Sequence, residues 1–255
     1  MSLKVQIIPA LSDNYIYLLI ADDGEHVGVV DPGDGAAVLK ALEHGKLQPT
    51  HIFNTHHHSD HTAGNHALKE RYNTPVIGPA AEASRIPDLD QTVQEGDVLD
   101  FGGNRVEVIA TPGHTSGHIC FYFPDAGIAF VGDTLFVMGC GRLFEGDAEQ
   151  MWDSLCKLRD LPEQTAIYCG HEYTLSNARF ARSIDPDNTA LAERMRIVEG
   201  LRGRGLATIP STIGEERQTN PFLRADDPDL QANLNLSGAP AARVFAEIRR
   251  RKDAA

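Results

Sequence analysis

The segment Thr55–His66 has the highest density of histidine in the chain. It holds five histidines within eleven residues, with Asp60 among them. His56 and His58 are two residues apart, so on an extended loop their side chains point the same way. Asp60 and His61 follow directly and could face a second ion. Nitrogen and oxygen donors without a thiolate suit zinc, iron or manganese, so this segment predicts a metal site.

Length and composition predict a globular chain with room for one large domain, or for a domain of ordinary size plus a small one. Of the 255 residues, 42% are hydrophobic and 23% are charged. No apolar stretch is long enough to span a membrane, and the start, Met1–Val5, lacks a signal-peptide core. We therefore expect a cytoplasmic protein. Its four widely spaced cysteines are expected to be reduced, with Cys140 in a loop near the site.

The charge is unevenly distributed along the chain. The net charge of −13 disfavours nucleic acid as a partner. Residues 176–255 nevertheless hold 13 basic and 11 acidic side chains, against 10 and 25 in the rest. The comparatively basic C-terminal third is expected to meet an anionic ligand.

Short apolar runs separated by turns predict β-strands up to about Cys169. The predicted strands are Val5–Ile8, Tyr15–Ile20, Val27–Val30, Thr50–Asn54, Val106–Ala110, Ile119–Phe123, Ile128–Val131 and Ala166–Cys169. Helical spacing predicts helices at Ala36–His44, ended by Gly45, and from Glu149 to about Leu158. After Tyr173 the pattern is helical, within 187–202 and at Ala241–Lys252. We predict a mixed α/β domain over residues 1–175 and a helical domain over residues 176–255.

Four of these strands are followed at once by potential metal ligands. The seven donors are His56, His58, Asp60, His61, His114, Asp133 and His171. If the four strands lie side by side and run alike, the donors meet at one edge of the sheet, where layered α/β folds commonly place a site. Seven donors are too many for one tetrahedral ion and suit two.

In this hypothesis one ion takes His56, His58 and His114, and the other takes Asp60, His61 and His171. Asp133 bridges the two, and a water between them has its pKa lowered toward roughly 7. Asp31 could orient a ligand histidine from behind or cap a turn, and both alternatives stay open. We expect supporting or structural roles for His57, His66 and His118, and ordinary surface or core positions for His26, His44 and His51.

These motifs resemble the signature of the metallo-β-lactamase superfamily. The matching segments are Thr55–His61, Gly113-His114, Gly132-Asp133, Gly170-His171 and the early Val30–Gly33. The resemblance covers residues 1 to about 173. It implies an α/β (α+β) fold, the αββα sandwich, with a two-metal site between its sheets.

Within the superfamily the chain resembles the glyoxalase II, or hydroxyacylglutathione hydrolase, family. The segments that show this resemblance are Thr111–His118, Gly170–Thr174, Asn220–Arg224 and Ile248–Asp253. The resemblance implies hydrolysis of S-D-lactoylglutathione to D-lactate and glutathione, the second step of methylglyoxal detoxification. It also implies that the small-molecule partner is a glutathione thioester.

The same resemblance implies a set of substrate contacts, namely Arg142, Phe144, Tyr173, Arg249 and Lys252. Phe144 stands where some members carry tyrosine, and Arg142 where some carry lysine, so substrate affinity is the property most open to change. Arg249 and Lys252 are three residues apart, hence on one helical face that suits the two carboxylates of glutathione. The alternative, a solvated helix end, stays open.

The expected mechanism is attack on the thioester by a hydroxide that bridges the ions, with Asp60 and Asp133 as the catalytic carboxylates. Two alternatives remain, a glutathione persulfide dioxygenase with one iron and a non-catalytic metal-binding protein. A β-lactamase is disfavoured because the chain shows no export signal, and a nuclease because of its acidic charge. We expect two divalent ions per chain, zinc before iron or manganese, in a monomer that binds neither nucleic acid nor membrane.

Overall fold

The computed structural model of the protein describes residues 3–255, which divide into two units. The first contains the residues up to Ala110 together with Ser116–Gly132. The second contains Thr111–Thr115 together with Asp133–Ala255. Because the chain passes between the units more than once, this division does not correspond to a single cut, and the domain boundary near residue 175 stays a prediction.

The first unit contains two β-sheets. The first sheet holds β1 (Leu3–Ala10), β2 (Asn14–Ala21), β3 (Val27–Val30), β4 (His51–Phe53), β5 (Val76–Pro79) and β6 (Gln91–Val93), in that order. It is antiparallel from β1 to β3 and parallel from β3 to β6. In the second sheet of this unit, β7 (Val98–Phe101), β8 (Asn104–Ala110), β9 (Ile119–Phe123) and β10 (Ile128–Gly132) pair antiparallel in chain order.

The two sheets of this unit pack face to face through aromatic side chains. The ring centroids of Phe53 and Phe121 lie 5.1 Å apart, and those of Tyr17 and Phe130 lie 5.3 Å apart. Because side chains alternate along a strand, Ile16 and Leu18 point to the opposite face of β2. That face is covered by the helices α1 (Gly35–Gly45) and α3 (Asn65–Tyr72), and the short helix α2 (Ser59–Thr62) precedes α3. The arrangement is one helical layer on two sheets.

Helix α1 shows how local sequence fixes an element. Asp34 caps its start, since the carboxylate accepts hydrogen bonds from the first main-chain N–H groups. Val38 and Leu42 are four residues apart and are both fully buried. The helix runs one residue further than predicted, and Lys46 takes the left-handed conformation that ends it, with φ of 53°. Gly45 is itself helical, and a Cβ at this position would lie only 3.0 Å from the side chain of Leu47.

The second unit is mainly helical. Its helices are α4 (Ala148–Arg159), α5 (Thr174–Ile184), α6 (Thr189–Arg202), α7 (Ile213–Thr219), α8 (Pro228–Asn233) and α9 (Ala241–Asp253). Its strands form two antiparallel pairs, β11 (Leu135–Phe136) with β12 (Gly139–Cys140), and β13 (Ala166–Cys169) with β14 (Ser211–Thr212). Phe222 and Phe245 pack in its core with ring centroids 5.8 Å apart. Across residues 3–255, every helix falls short of the apolar length that a bilayer span requires.

All eight predicted strands and all four predicted helices are present, with ends shifted by a few residues. The remaining elements were not predicted, namely β5 to β7, β11, β12, β14, α2, α3, α5, α7 and α8. Strands β6 and β7 are mostly exposed and carry no clear apolar alternation, and α5 begins without a side-chain cap. The expected side-by-side strand arrangement is wrong, because β4 lies in the first sheet while β8 and β10 lie in the second, separated by antiparallel β9.

Candidate metal centre

The histidine loop of the first unit follows the end of β4. His56 and His61 are buried, and Nδ1 of His58 lies 3.1 Å from Nε2 of His56. Oδ2 of Asp60 lies 3.5 Å from Nε2 of His61. The amide of Asn14 donates to the main-chain carbonyl and to Oδ2 of Asp60, at 3.2 and 3.0 Å. Four of the seven predicted donors are therefore gathered in this one loop.

Asp31 supports this loop from behind. Its carboxylate accepts hydrogen bonds from the main-chain N–H and the hydroxyl of Thr55, at 2.8 and 2.7 Å. It also accepts from Nδ1 of His61 at 3.1 Å, which leaves Nε2 of that ring without a proton and able to bind a metal. Both open alternatives for Asp31 therefore apply, since it orients a histidine and also holds the turn.

The second unit gathers the other three donors. Oδ2 of Asp133 lies 3.4 Å from Nε2 of His114 and 3.3 Å from Nε2 of His171. All three residues are buried. Nδ1 of His114 donates to the carbonyl of Arg142 at 2.9 Å, so in the neutral ring Nε2 is the nitrogen that can bind a metal. A Cβ on Gly141 would lie 2.0 Å from the carbonyl oxygen of Asp133, so only glycine allows this approach.

The donor chemistry of each group fits a divalent metal ion. In the first unit the donor atoms of Asp31, His56 and His61 all lie within 4.8 Å of one another. In the second unit two imidazole nitrogens face the same carboxylate oxygen. Neutral imidazole and carboxylate are the donors that zinc, iron and manganese accept, and the nearby main-chain and carboxylate acceptors fix the tautomers that leave Nε2 available.

The remaining histidines have supporting or structural contacts. The ring of His118 stacks on that of His56 at 4.8 Å. His57 contacts Glu82 through Nδ1 at 2.7 Å, and His66 contacts Asp88 at 3.1 Å.

Glu82 also supports the histidine segment, although the sequence did not predict a role for it. It is fully buried, and one carboxylate oxygen accepts from both the main-chain N–H and Nδ1 of His57, each at 2.7 Å. The other oxygen accepts from the main-chain N–H of Gly117 at 2.9 Å. Glu82 therefore fixes the main chain between the donors His56 and His58. Its sequence neighbourhood carries no motif, so only the tertiary contacts reveal it.

The buried cysteines do not offer a nucleophile. Burial raises the pKa of the Cys140 thiol to about 11 and that of the Cys169 thiol to about 12. The reactive form of a cysteine is the thiolate, so both side chains are inert near neutral pH.

The predicted substrate-binding residues all lie in the second unit and differ in exposure. Phe144 is 62% exposed, and its ring lies 5.2 Å from that of His114. Tyr173 is 38% exposed and stacks on His171 at 4.8 Å.

The three predicted cationic contacts also differ. The Arg142 side chain is 66% exposed, and its Nε lies 3.6 Å from the carboxylate of Asp253. Lys252 donates to the carbonyl and hydroxyl of Ser176. Arg249 is buried and donates to the carbonyl of Cys140 and to Asp253, so its guanidinium is already engaged by the protein.

Comparison with known proteins accounts for nearly the whole chain. The family model described as the metallo-beta-lactamase superfamily matches residues 12–171, and that of the hydroxyacylglutathione hydrolase C-terminus matches residues 172–255. A hydroxyacylglutathione hydrolase of Rhizobium meliloti (strain 1021) is 51% identical over 252 residues, which cover 99% of this chain and 98% of that protein. This chain belongs to the hydroxyacylglutathione hydrolase family.

Two solved structures are similar to this chain in fold. ETHE1 from Myxococcus xanthus is 27% identical with a TM-score of 0.69, over 98% of this chain and 90% of that one. TTHA1623, solved in a di-iron-bound form, is 26% identical with a TM-score of 0.60, over 82% of this chain and 95% of that one. The predicted metallo-beta-lactamase fold with a C-terminal helical domain is confirmed. The roles of individual residues stay predictions.

Proposed function

We propose that this chain hydrolyses 2-hydroxyacyl glutathione thioesters, and S-D-lactoylglutathione in particular, to the free acid and glutathione. The observation that carries this function is full-length similarity to hydroxyacylglutathione hydrolases, at 51% identity over 99% of the chain, with both halves of the chain matched by their family models. The chain is therefore a thioester hydrolase, and its place is the second step of methylglyoxal detoxification.

We propose two divalent metal ions per chain, which the seven predicted donors would hold. His56, His58 and His114 would hold one ion, and Asp60, His61 and His171 the other, with Asp133 available to both. The di-iron form of TTHA1623 supports a two-metal site in a related chain. Zinc is the first candidate because the donors are nitrogen and oxygen, and iron or manganese are the others. When bound, such ions supply Lewis acidity and acidify water near neutral pH.

The protein groups have separate tasks in this reaction. Asp60 is held by Asn14, and its partly exposed carboxylate can accept the proton of the attacking water and align its oxygen with the thioester carbonyl. The oxygen bonds to the carbonyl carbon, the carbon–sulfur bond breaks, and the thiolate leaves with the electron pair and takes a proton from solvent. Thiols are acidic enough to leave as thiolates, so no separate acid is required at sulfur.

The cations near the end of α9 suit the two carboxylates of glutathione. Burial lowers the pKa of Lys252, and the positive charges of Arg249 and Arg142 lower it further against the opposing charge of Asp253. We propose Arg142 and Lys252 as direct contacts, with Phe144 and Tyr173 as the apolar walls. Arg249 belongs to the same predicted set. Its buried guanidinium would act indirectly, by holding the Cys140 carbonyl and the Asp253 carboxylate in place.

The remaining expectations are part of the proposal. The chain acts in the cytoplasm as a monomer, and its net charge of −13 argues against nucleic acid and anionic membrane surfaces as partners. The catalytic domain covers residues 1–175, and residues 176–255 form the substrate-binding domain.

Loss of thioester absorbance tests the proposed function. The zinc-loaded chain is given S-D-lactoylglutathione, and in parallel a lactoyl thioester of a thiol that lacks both glutathione carboxylates. We expect kcat/KM to be at least about tenfold higher for the glutathione thioester, because two charge pairs contribute roughly 1.4 kcal/mol together. Equal values would contradict the substrate contacts, and no hydrolysis of either thioester would contradict the function.

A further inference from the structure

The hairpin β11–β12 of the second unit has a strained turn. Its two turn residues are Val137 and Met138, and Met138 lies in the left-handed region with φ of 55°. Residues other than glycine keep that conformation only where the surroundings impose it. The main-chain N–H of Met138 donates to Oε2 of Glu216, on helix α7, at 2.7 Å. Glu216 is thus one of the groups that impose the turn.

Other side chains of the helical segments hold the same hairpin. The amide of Asn220 donates to the carbonyls of Phe136 and Gly139, at 3.1 and 2.9 Å. The amide of Asn177 donates to the carbonyl of Val137 at 3.2 Å, and the guanidinium of Arg249 to that of Cys140 at 3.0 Å. Every residue from 136 to 140 therefore has a main-chain group that is hydrogen-bonded to a side chain between positions 177 and 249.

Glu216 connects these contacts. It is fully buried, and its Oε2 accepts from Asn220 at 2.9 Å as well as from Met138. Its Oε1 accepts from the hydroxyl of Ser211 at 2.6 Å. Removing this carboxylate would leave the main-chain N–H of Met138 buried without its acceptor, and such groups are costly to bury.

The hairpin also adjoins the segments that hold two of the proposed metal ligands, Asp133 and His114. Strand β11 begins two residues after Asp133, and β12 ends two residues before Arg142, whose carbonyl orients His114. Gly141, directly after β12, packs against the carbonyl of Asp133 and Nδ1 of His114 so closely that no Cβ would fit. A shift of the hairpin would therefore move both ligands.

We propose that Glu216 is a positioning residue of the metal centre, which holds Asp133 and His114 in place through Met138, Asn220 and the hairpin. The inference rests on the proposed function only in taking these two residues as metal ligands. It means that residues 172–255, which lie beyond the match to the superfamily model, help to build the metal centre as well as to bind substrate.

Zinc release to a chromogenic chelator, measured without substrate, tests this role in the zinc-loaded full chain. We expect Glu216→Ala to release its zinc at least about tenfold faster than the unmodified chain, as substitutions behind metal ligands commonly do. Glu216→Gln should restore slow release, because its amide oxygen can accept from Met138 and Asn220 while its amide nitrogen donates to Ser211. Glu215→Gln, one residue earlier and half-exposed beside Arg194, is the matched control and should leave release unchanged.

A purely structural role is separated by a second control and by kinetics. Leu191→Ala removes a fully buried side chain of α6 and destabilises the same unit without altering the hydrogen bonds of the hairpin. If it releases zinc as fast as Glu216→Ala at a similar loss of thermal stability, the proposal is overturned. With S-D-lactoylglutathione, Glu216→Ala should lower kcat and leave KM within about twofold, and a change confined to KM would also overturn it.

If Glu216→Ala does not fold, Asn177→Ala is the second variant, because it removes only the hydrogen bond to Val137. It should release zinc about two to five times faster than the unmodified chain, and an unchanged rate would count against the proposal. A chain that retains zinc and hydrolyses no thioester would contradict the proposed function while leaving the zinc-release result valid.

Discussion

The two donor groups differ in how the chain brings them together. In the first unit His56, His58, Asp60 and His61 come from one six-residue segment, and Asp31 contacts His61 directly. In the second unit His114, Asp133 and His171 come from three separate segments. The local group depends on a few close contacts, whereas the distributed group depends on a hairpin that other helices hold. Substitutions far along the chain should therefore disturb the second group more readily than the first.

The largest effect is expected for Asp133→Ala in the distributed group. It removes the carboxylate that faces His114 and His171, so kcat should fall at least about 100- to 1,000-fold. Metal analysis should show zinc lost together with activity. A metal-poor variant with full turnover would contradict the assignment of Asp133.

A smaller effect is expected for Asp31→Asn in the local group. The amide of asparagine has only one oxygen, so it cannot accept hydrogen bonds from both Thr55 and His61. If its NH2 group faces His61, the proton of that ring must move to Nε2. If the NH2 group faces Thr55 instead, it opposes the main-chain N–H of that residue. Zinc affinity should fall about 10- to 100-fold in a chelator competition. Asp34→Asn is the control, since asparagine also caps helices well, and it should leave zinc affinity unchanged.

Glu216, which supports the distributed group, should make the stability of the chain depend on pH. Burial raises the pKa of Glu216 from 4.5 to about 7, against the opposing hydrogen bonds from Ser211, Met138 and Asn220 and the charge of Arg194. Between these pH values the folded chain keeps a proton that the unfolded chain has lost, so stability falls as pH rises through that window. Glu216→Gln has no proton to lose, and relative to it the unmodified chain should lose up to about 3 kcal/mol between pH 4.5 and 8.

Urea unfolding of both chains at several pH values measures this difference, because the titrations they share cancel. A constant difference across the window would show that Glu216 keeps its ordinary pKa. If instead the unmodified chain loses stability relative to Glu216→Gln toward low pH, folding would lower the pKa of Glu216 rather than raise it.

The smallest effect is expected for Lys252→Ala, which removes one cation from the proposed glutathione contacts. KM for S-D-lactoylglutathione should rise about threefold with kcat unchanged, because a partly exposed ion pair contributes roughly 0.2–1 kcal/mol. Arg250→Ala is the control on the same helix, since Arg250 pairs with Glu247 on the exposed side. Equal KM values for the two variants would contradict a substrate contact at Lys252 and would favour the alternative that the α9 cations are only a solvated helix end.

The same contrast between local and distant contacts explains what the sequence could predict. Strands β1 to β3 and helix α1 follow from alternation, spacing and the cap at Asp34, all of which are local. The seven donors were recognised because each follows a strand, and because six of them have a histidine or glycine as a direct neighbour in the sequence.

The supports of the site could not be predicted in this way. Glu82 and Glu216 are fully buried, and the main-chain N–H groups that they hold lie 25 to 78 positions away in the sequence. No local pattern distinguishes these glutamates from surface ones. The strand arrangement failed for a related reason, since strand direction and sheet membership depend on tertiary packing rather than on the strands' own residues.

Metal content per chain tests the central claim most directly. The chain is loaded with zinc, freed of excess metal and analysed for zinc and protein together with its thioesterase activity. If the seven proposed donors hold a pair of ions, the ratio should be two zinc ions per chain, falling below one in Asp133→Ala. A fully active chain with one ion, or a ratio of two that survives Asp133→Ala unchanged, would contradict the account.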